Sequence, residues 1–473
     1  MSLTNKIFKN IAWQIIIRIL NILIGVFNLG LIARILGQTG FGFYTTIFAF
    51  LQMLMILLDF GLYLTLLREI SSVKDKIKES KIINNIFTIR FFSSLIFLLL
   101  APIIIKIFPY EIVVQKGIIY FSFAFFFQSL ISTLTAVFAK HMVMPKVAIT
   151  DTISKLSYFI FLFYFFTKGT NLNNILLINS LTQGIAFLFL YLFLRKYVTL
   201  RFNFDFRYWK NIFYKTWPLA TTIVLNLIYF KIDTLILSAY HKPSEVGLYG
   251  APYRVLEVLA TFPHMVMGLI LPLFTAAYIS KNYKELKNIW QKTFDFFSII
   301  TIGMVIGTWL ISTEMMRLLA GNEFISSGPI LNILIVATAM IFFGTLFTYL
   351  VVALQAQKKI IKYFLFTAVL GVASYFIFIP KFSYWGAAYT TLFVEFLIVI
   401  FSYIVVKKYI NIKIDFKVLI KSLLAGMITF FSVWQWREFN IFLTITSFSI
   451  LYIFILYITK AFDKKIIKEI LNK

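Results

Sequence analysis

Seven basic residues lie inside long apolar stretches of this sequence: Arg18, Arg34, Arg68, Arg90, Lys155, Lys231 and Arg254. A charge placed in a membrane-spanning helix costs at least ~2.5 kcal/mol on insertion scales, so each needs a partner, water or a ligand. Guanidinium groups match phosphate oxygens by bidentate hydrogen bonding. Arg18 shares a helix face with Gln14, Asn21, Gly25 and Asn28, spaced as successive turns of one stripe. It is read as an anchor for phosphate oxygens or, failing that, as a hydrogen-bonding link to a neighbouring helix. Arg90 has no local acid, and is either a second anchor or a side chain snorkelling to the headgroups. Arg34 and Arg68 sit near span ends, where snorkelling is the expectation.

The remaining charges fall into short-range patterns. Asp151 and Lys155 have the acid-first i, i+4 order of a helical ion pair, and Arg254 and Glu257 are i, i+3 neighbours. Lys231 and Asp233 are two apart and so point to different faces of one helix. Asp59, Asp233, Glu257 and Glu395 are candidates for binding a coupling proton or sodium ion, since coupling needs a titratable or oxygen-rich centre in the membrane. His264 reads as a core histidine. Enzymatic constellations are missing: the chain has no cysteine, three scattered histidines, and no phosphate loop, GxSxG or HExxH motif. No enzyme, metal site or organic cofactor is expected.

These groups must be positioned by membrane helices. Of 473 residues, 60% are hydrophobic and only 14% charged, with mean hydropathy +0.89, where soluble domains carry about 25% charge. The periodicity predicts an all-α polytopic membrane protein of about fourteen spans, from 11–36 and 41–67 to 417–435 and 440–459. Net charge +26 could indicate nucleic acid, but its placement argues otherwise. Alternate gaps between spans hold 31 Lys and Arg residues, and the intervening gaps hold 7. By the positive-inside rule both termini are then cytoplasmic.

Laying residue n over residue n+205 reveals a repeat. Asn21 falls on Asn226, Asn28 on Asp233, Gly42 on Gly247 and Tyr44 on Tyr249. Thr222, Asn226, Tyr229 and Asp233 continue the same helical stripe in the second copy. Six spans separate the copies, so they share one orientation, the parallel form of internal repeat found in transporters. The expected organisation is a six-helix lobe over 1–194, a basic cytoplasmic linker over 195–216, a second six-helix lobe over 217–406, and two extra helices with a basic tail over 407–473. Asn21, Asn28 and Asn226 would line a polar cavity together with Arg18, Arg90, Lys231 and Arg254.

Several segments resemble a known family. IARILGQTGFGFYTT and LLDFGLYLTLLREIS resemble the start of bacterial polysaccharide-repeat flippases of the O-antigen and capsule type. YFKIDTLILSAYHKPSEVGLYGAPYRVLE resembles the opening of their second half, and LAGNEFISSGPILNIL and PKFSYWGAAYTTLFVE match later segments. Those proteins belong to the multidrug/oligosaccharidyl-lipid/polysaccharide exporter superfamily. The resemblance implies two pseudo-symmetric bundles in a V, alternating access, and a bacterial cytoplasmic-membrane location. It implies as partners a polyprenyl-diphosphate-linked oligosaccharide, membrane lipids and polysaccharide polymerase machinery, and no nucleic acid. Three alternatives stand beside it. A cation-coupled drug antiporter should have an acidic cavity, and a peptidoglycan-precursor flippase would suit a cationic one equally well. A membrane glycosyltransferase or polymerase should carry a large outer loop, which no outer gap here provides.

Overall fold

The structure, a computed structural model, describes the backbone of residues 3–59, 61–411, 413–437 and 440–461. Side chains are described for these residues other than 3–16, 18, 19, 56–59 and 218–230. Among the described residues all regular structure is helical: α1 (Leu3–Asp59), α2 (Leu62–Ser71), α3 (Lys76–Ile104), α4 (Ile112–Lys140), α5 (Met144–Lys168), α6 (Leu172–Leu194), α7 (Phe206–Tyr240), α8 (Pro243–Ile279), α9 (Tyr283–Ala320), α10 (Gly328–Ala353), α11 (Gln357–Lys407), α12 (Lys417–Val433) and α13 (Ile441–Ile458).

Eleven stretches among the described residues are long and apolar enough to cross a bilayer. Two of the helices are each broken into two spans. In α1 the break is Gly37, at φ 64°, a left-handed conformation that glycine adopts without steric cost. In α11 it is Ser383, at φ 52°, three residues after Pro380. With these divisions, and with α7 as a further span, the fourteen-span expectation holds. The sequence placed the first of these breaks between Gly37 and Gly40 and the second between Pro380 and Ser383, where the structure has them.

The chain divides into two compact units, Met1–Gly247 and Leu248–Lys473. In the first, α1 packs on α5, α7 and α4, and α4 packs on α6 and α3. The core at one end of this bundle joins Leu66 and Ile70 of α2, Ile83 and Ile86 of α3, Leu134 and Val137 of α4, and Leu190 and Leu194 of α6. In the second unit α10 packs on α11 and α9, around Trp290, Phe294, Phe297, Phe342, Leu346 and Phe347. The last two helices, α12 and α13, both lie on α9, where the Tyr452 hydroxyl donates to the Ile299 carbonyl at 2.8 Å.

The repeat has a physical counterpart within the first unit. A Cβ added at Gly42 would lie 1.7 Å from the Pro243 carbonyl oxygen and 3.1 Å from the Gly247 nitrogen. A Cβ at Gly247 would lie 2.1 Å from the Gln38 carbonyl oxygen and 3.1 Å from the Gly42 nitrogen. Gln38 and Pro243 are themselves 205 apart, as Gly42 and Gly247 are. Each copy therefore offers the other the same pair of positions, as a two-fold contact does. The stretch of α1 just after the break meets the first residues of α8 backbone on backbone.

Candidate functional site

The polar stripe of the first span is spent largely on α5. Asn28 Nδ2 donates to the Lys155 carbonyl at 3.1 Å, and Asn21 Nδ2 lies 3.5 Å from the Ala148 carbonyl. Both pairs are seven residues apart on their helices, so two turns of α1 run in register with two turns of α5. Lys155 Nζ returns to the Asn21 carbonyl at 3.5 Å and pairs with Asp151 at 3.0 Å, the ion pair that the sequence order implied. Asn21 and Asn28 are buried, and among the described residues their Oδ1 atoms have no hydrogen-bond partner. One donor of each thus fastens helices, and the acceptor of each is left for a ligand.

A second cluster gathers where α7 meets the part of α1 beyond Gly37. Lys231 is buried with its ammonium 5.7 Å from the centre of the Phe48 ring, within cation–π range. Phe48 belongs to an aromatic group with Tyr44, Phe121 and Phe125, at centroid distances of 6.3, 6.1 and 5.7 Å. Asp233, two residues on, is fully buried, and its carboxylate accepts from the Thr234 amide at 2.6 Å. Its sharing of a helix with Lys231 does not put the two side chains on one face. Arg90 of α3 is buried as well, 1% exposed, which rules out snorkelling to the headgroups. Arg34 and Arg68 are exposed, as residues near span ends should be.

The second unit holds the other candidates. Arg254 Nη1 donates to Glu257 Oε2 at 2.7 Å, so the i, i+3 pair forms. Glu395 is buried on α11. One turn before it, the Thr391 hydroxyl donates to the Ala387 carbonyl at 2.9 Å while the Tyr375 and Tyr249 hydroxyls sit 3.0 and 3.3 Å from its oxygen. Thr391 has one hydrogen and has given it away, so both phenols must donate to it. Tyr249 is the repeat partner of Tyr44, but its junction with Thr391 and Tyr375 had no sequence signal, because Tyr249 lies more than a hundred residues from both. His264 is a correction: it is exposed, its ring 6.0 Å from Tyr349, and no core histidine. A helix with polar and apolar faces turns some residues outward, and neighbouring Pro263 is the one buried. Arg18, Asp59 and Asn226 lie outside the described residues. Among the described residues no group of His, Cys, Asp and Glu could hold a metal ion.

Residues 7–278, more than half of the chain, match the family model described as polysaccharide biosynthesis protein. The chain belongs to that family. A 25% identity over 252 residues relates it to the capsular polysaccharide biosynthesis protein CapF of Staphylococcus aureus; the match covers 52% of this chain and 63% of that protein's length. Among solved structures, the fold of this polysaccharide biosynthesis family member is similar to that of the lipid II flippase MurJ in an inward closed conformation. There the TM-score is 0.77 at 15% identity, over 98% of this chain and 100% of the other. It is also similar to an inward-facing multidrug resistance transporter of the MATE family, in the MOP superfamily. That TM-score is 0.65 at 12% identity, over 87% and 95% of the two chains. The fold is therefore that of the MOP transporters, and the chain is a multi-pass membrane protein.

Proposed function

We propose that this protein is a flippase that moves a polyprenyl-diphosphate-linked oligosaccharide repeat unit from the inner to the outer leaflet of the bacterial cytoplasmic membrane, for surface polysaccharide. Membership of the polysaccharide biosynthesis family and the likeness to a capsular protein support the class of product. The observation that carries the chemistry is Lys231, a buried ammonium laid on the aromatic group of Phe48 and Tyr44. A diphosphate needs a cation that water does not screen, and sugar rings need flat faces to lie on. Arg90, and Arg18 in the first span, supply further cations for the same headgroup. Alternating access requires that the affinity differ between the two states, because equal affinity shifts no equilibrium. Asp233, Glu257 and Glu395 remain the proposed sites for a coupling proton or sodium ion, with Asp59.

The reading is tested at Lys231. Lys231→Ala should reduce surface polysaccharide at least tenfold at unchanged protein level, with lipid-linked repeat units accumulating in the inner leaflet. Lys231→Arg should restore part of the flux, because it keeps the charge while changing its shape. Normal polysaccharide in the alanine variant would overturn the diphosphate role. A peptidoglycan-precursor flippase is the second reading, favoured by the fold likeness to MurJ. The two separate by complementation: rescue of a strain lacking its capsule flippase supports the first, and rescue of a strain depleted of its lipid II flippase supports the second.

A further inference from the structure

The stretch from Arg195 to Trp217, which connects α6 to α7 and takes in the first turns of α7, is fastened to α3 in an unusual way. The Arg201 amide donates to Asn84 Oδ1 at 3.1 Å, the Asn203 amide to Thr88 Oγ1 at 2.9 Å, and the Asp205 amide to Asn85 Oδ1 at 3.2 Å. Every second amide of an extended segment is thus bound to a side chain of one helix. Asn85 Oδ1 also accepts from the Trp209 indole at 3.1 Å, and Lys81 pairs with Asp205 at 3.5 Å. The segment is a strap with a fixed inner side.

Its outer side is what requires explanation. Phe202, Phe204, Phe206, Tyr214 and Trp217 are 52, 53, 70, 73 and 62% exposed. Arg195, Lys196, Arg201, Arg207, Lys210 and Lys215 are all exposed too; Asp205 is the one acid within the stretch, and Lys215 pairs with Glu69 of α2 at 2.8 Å. Aromatic side chains so bare are not a water-facing surface. The basic residues exclude the hydrocarbon, and the strap joins the ends of two membrane helices, so it lies at headgroup depth. Aromatic rings favour that layer, and Lys and Arg near a membrane surface are attracted to anionic headgroups.

We propose that residues 195–217 form a cationic and aromatic strap that binds the headgroups of anionic phospholipids, of the phosphatidylglycerol class. The charge complementarity selects lipid over an acidic soluble protein, because the same surface carries both the charges and the rings. The site is separate from Lys231 and does not depend on the transported substrate.

The natural chain lacks cysteine, so Asn211→Cys, at an exposed position of the strap, can be labelled alone with an environment-sensitive fluorophore. The labelled full chain is placed in phosphatidylcholine nanodiscs containing either spin-labelled phosphatidylglycerol or spin-labelled phosphatidylcholine. Quenching by phosphatidylglycerol should begin at lower lipid fraction by more than about tenfold, and the preference should fall as salt is raised. Neutralising Arg201, Arg207 and Lys210 to glutamine should reduce the preference by about fivefold per charge removed, whereas R201K/R207K should keep it. Equal quenching by the two lipids, or an unchanged preference in the glutamine variant, overturns the proposal. Should the glutamine variant fail to fold, the lipid and salt comparisons on the Asn211→Cys chain decide alone.

Discussion

An asparagine inside a membrane helix must place two donors and an acceptor where there is no water. Asn28 places one of those donors on the Lys155 carbonyl at 3.1 Å. Interhelical hydrogen bonds of this kind are worth about 0.6 kcal/mol on average and up to about 1.7 in membrane proteins. Asn28→Ala is therefore expected to lower stability by that amount while leaving transport largely intact; lost transport at unchanged unfolding free energy would make Asn28 a substrate contact instead. Asp205 offers a pH test at the same scale. The Tyr208 amide at 3.0 Å, and then Lys81, hold its carboxyl below the ordinary value of 3.8. A depressed folded pKa means that its stabilisation is complete above the ordinary value and is lost as pH falls through the lower, folded one. Hydrogen exchange at the Tyr208 amide should accelerate only at that acidic end, and Asp205→Ala should show the faster rate at all pH values. Such ion pairs as Arg254–Glu257 and Asp151–Lys155 were legible in the sequence, since spacing on one helix fixes them. The carbonyl partners of Asn21 and Asn28 were not, because every residue of α5 has a carbonyl and composition cannot choose among them.

Elements meet where side chains permit, and the crossing at Gly42 and Gly247 permits none. The neighbour that a new Cβ would strike is backbone, 1.7 Å from position 42 and 2.1 Å from position 247, and it cannot rotate away. Gly42→Ala and Gly247→Ala should each cost about 3 kcal/mol or more, seen as reduced thermal stability in detergent. Gly25 is the internal control. A Cβ there would meet nothing within 4 Å, so Gly25→Ala should stabilise its helix by about 0.5–1 kcal/mol. The double variant at 42 and 247 should fall short of the sum, because both substitutions open the same crossing. A 205-residue offset found in the sequence by matching polar residues thus marks a backbone contact within the first unit, between Gln38–Gly42 and Pro243–Gly247. The sequence carried the equivalence of these glycines; that they face each other follows only from the packing of α1 against α7 and the start of α8.

At the scale of the whole molecule, hydropathy and turn residues were sufficient to find fourteen spans, because lipid leaves a backbone no alternative to the helix. Which unit each helix packs into was less accessible, since apolar faces that touch lipid and apolar faces that touch protein have the same composition. Orientation is the remaining global property, and charge sets the expectation for it. Exposed Lys196, beside Arg195 after α6, belongs to the set of gaps holding 31 Lys and Arg residues, and exposed Lys242, after α7, to the set holding 7. Cationic loops stay on the cytoplasmic side during insertion, and α7 crosses between these two positions. In the naturally cysteine-free chain, Lys242→Cys should react with a membrane-impermeant maleimide in intact cells. Lys196→Cys should react only after permeabilisation. The reverse pattern would invert the chain in the membrane, and with it the direction in which a diphosphate-linked substrate could be carried. It would also move the 195–217 strap to the outer surface, so this experiment fixes which leaflet's lipids the strap can meet.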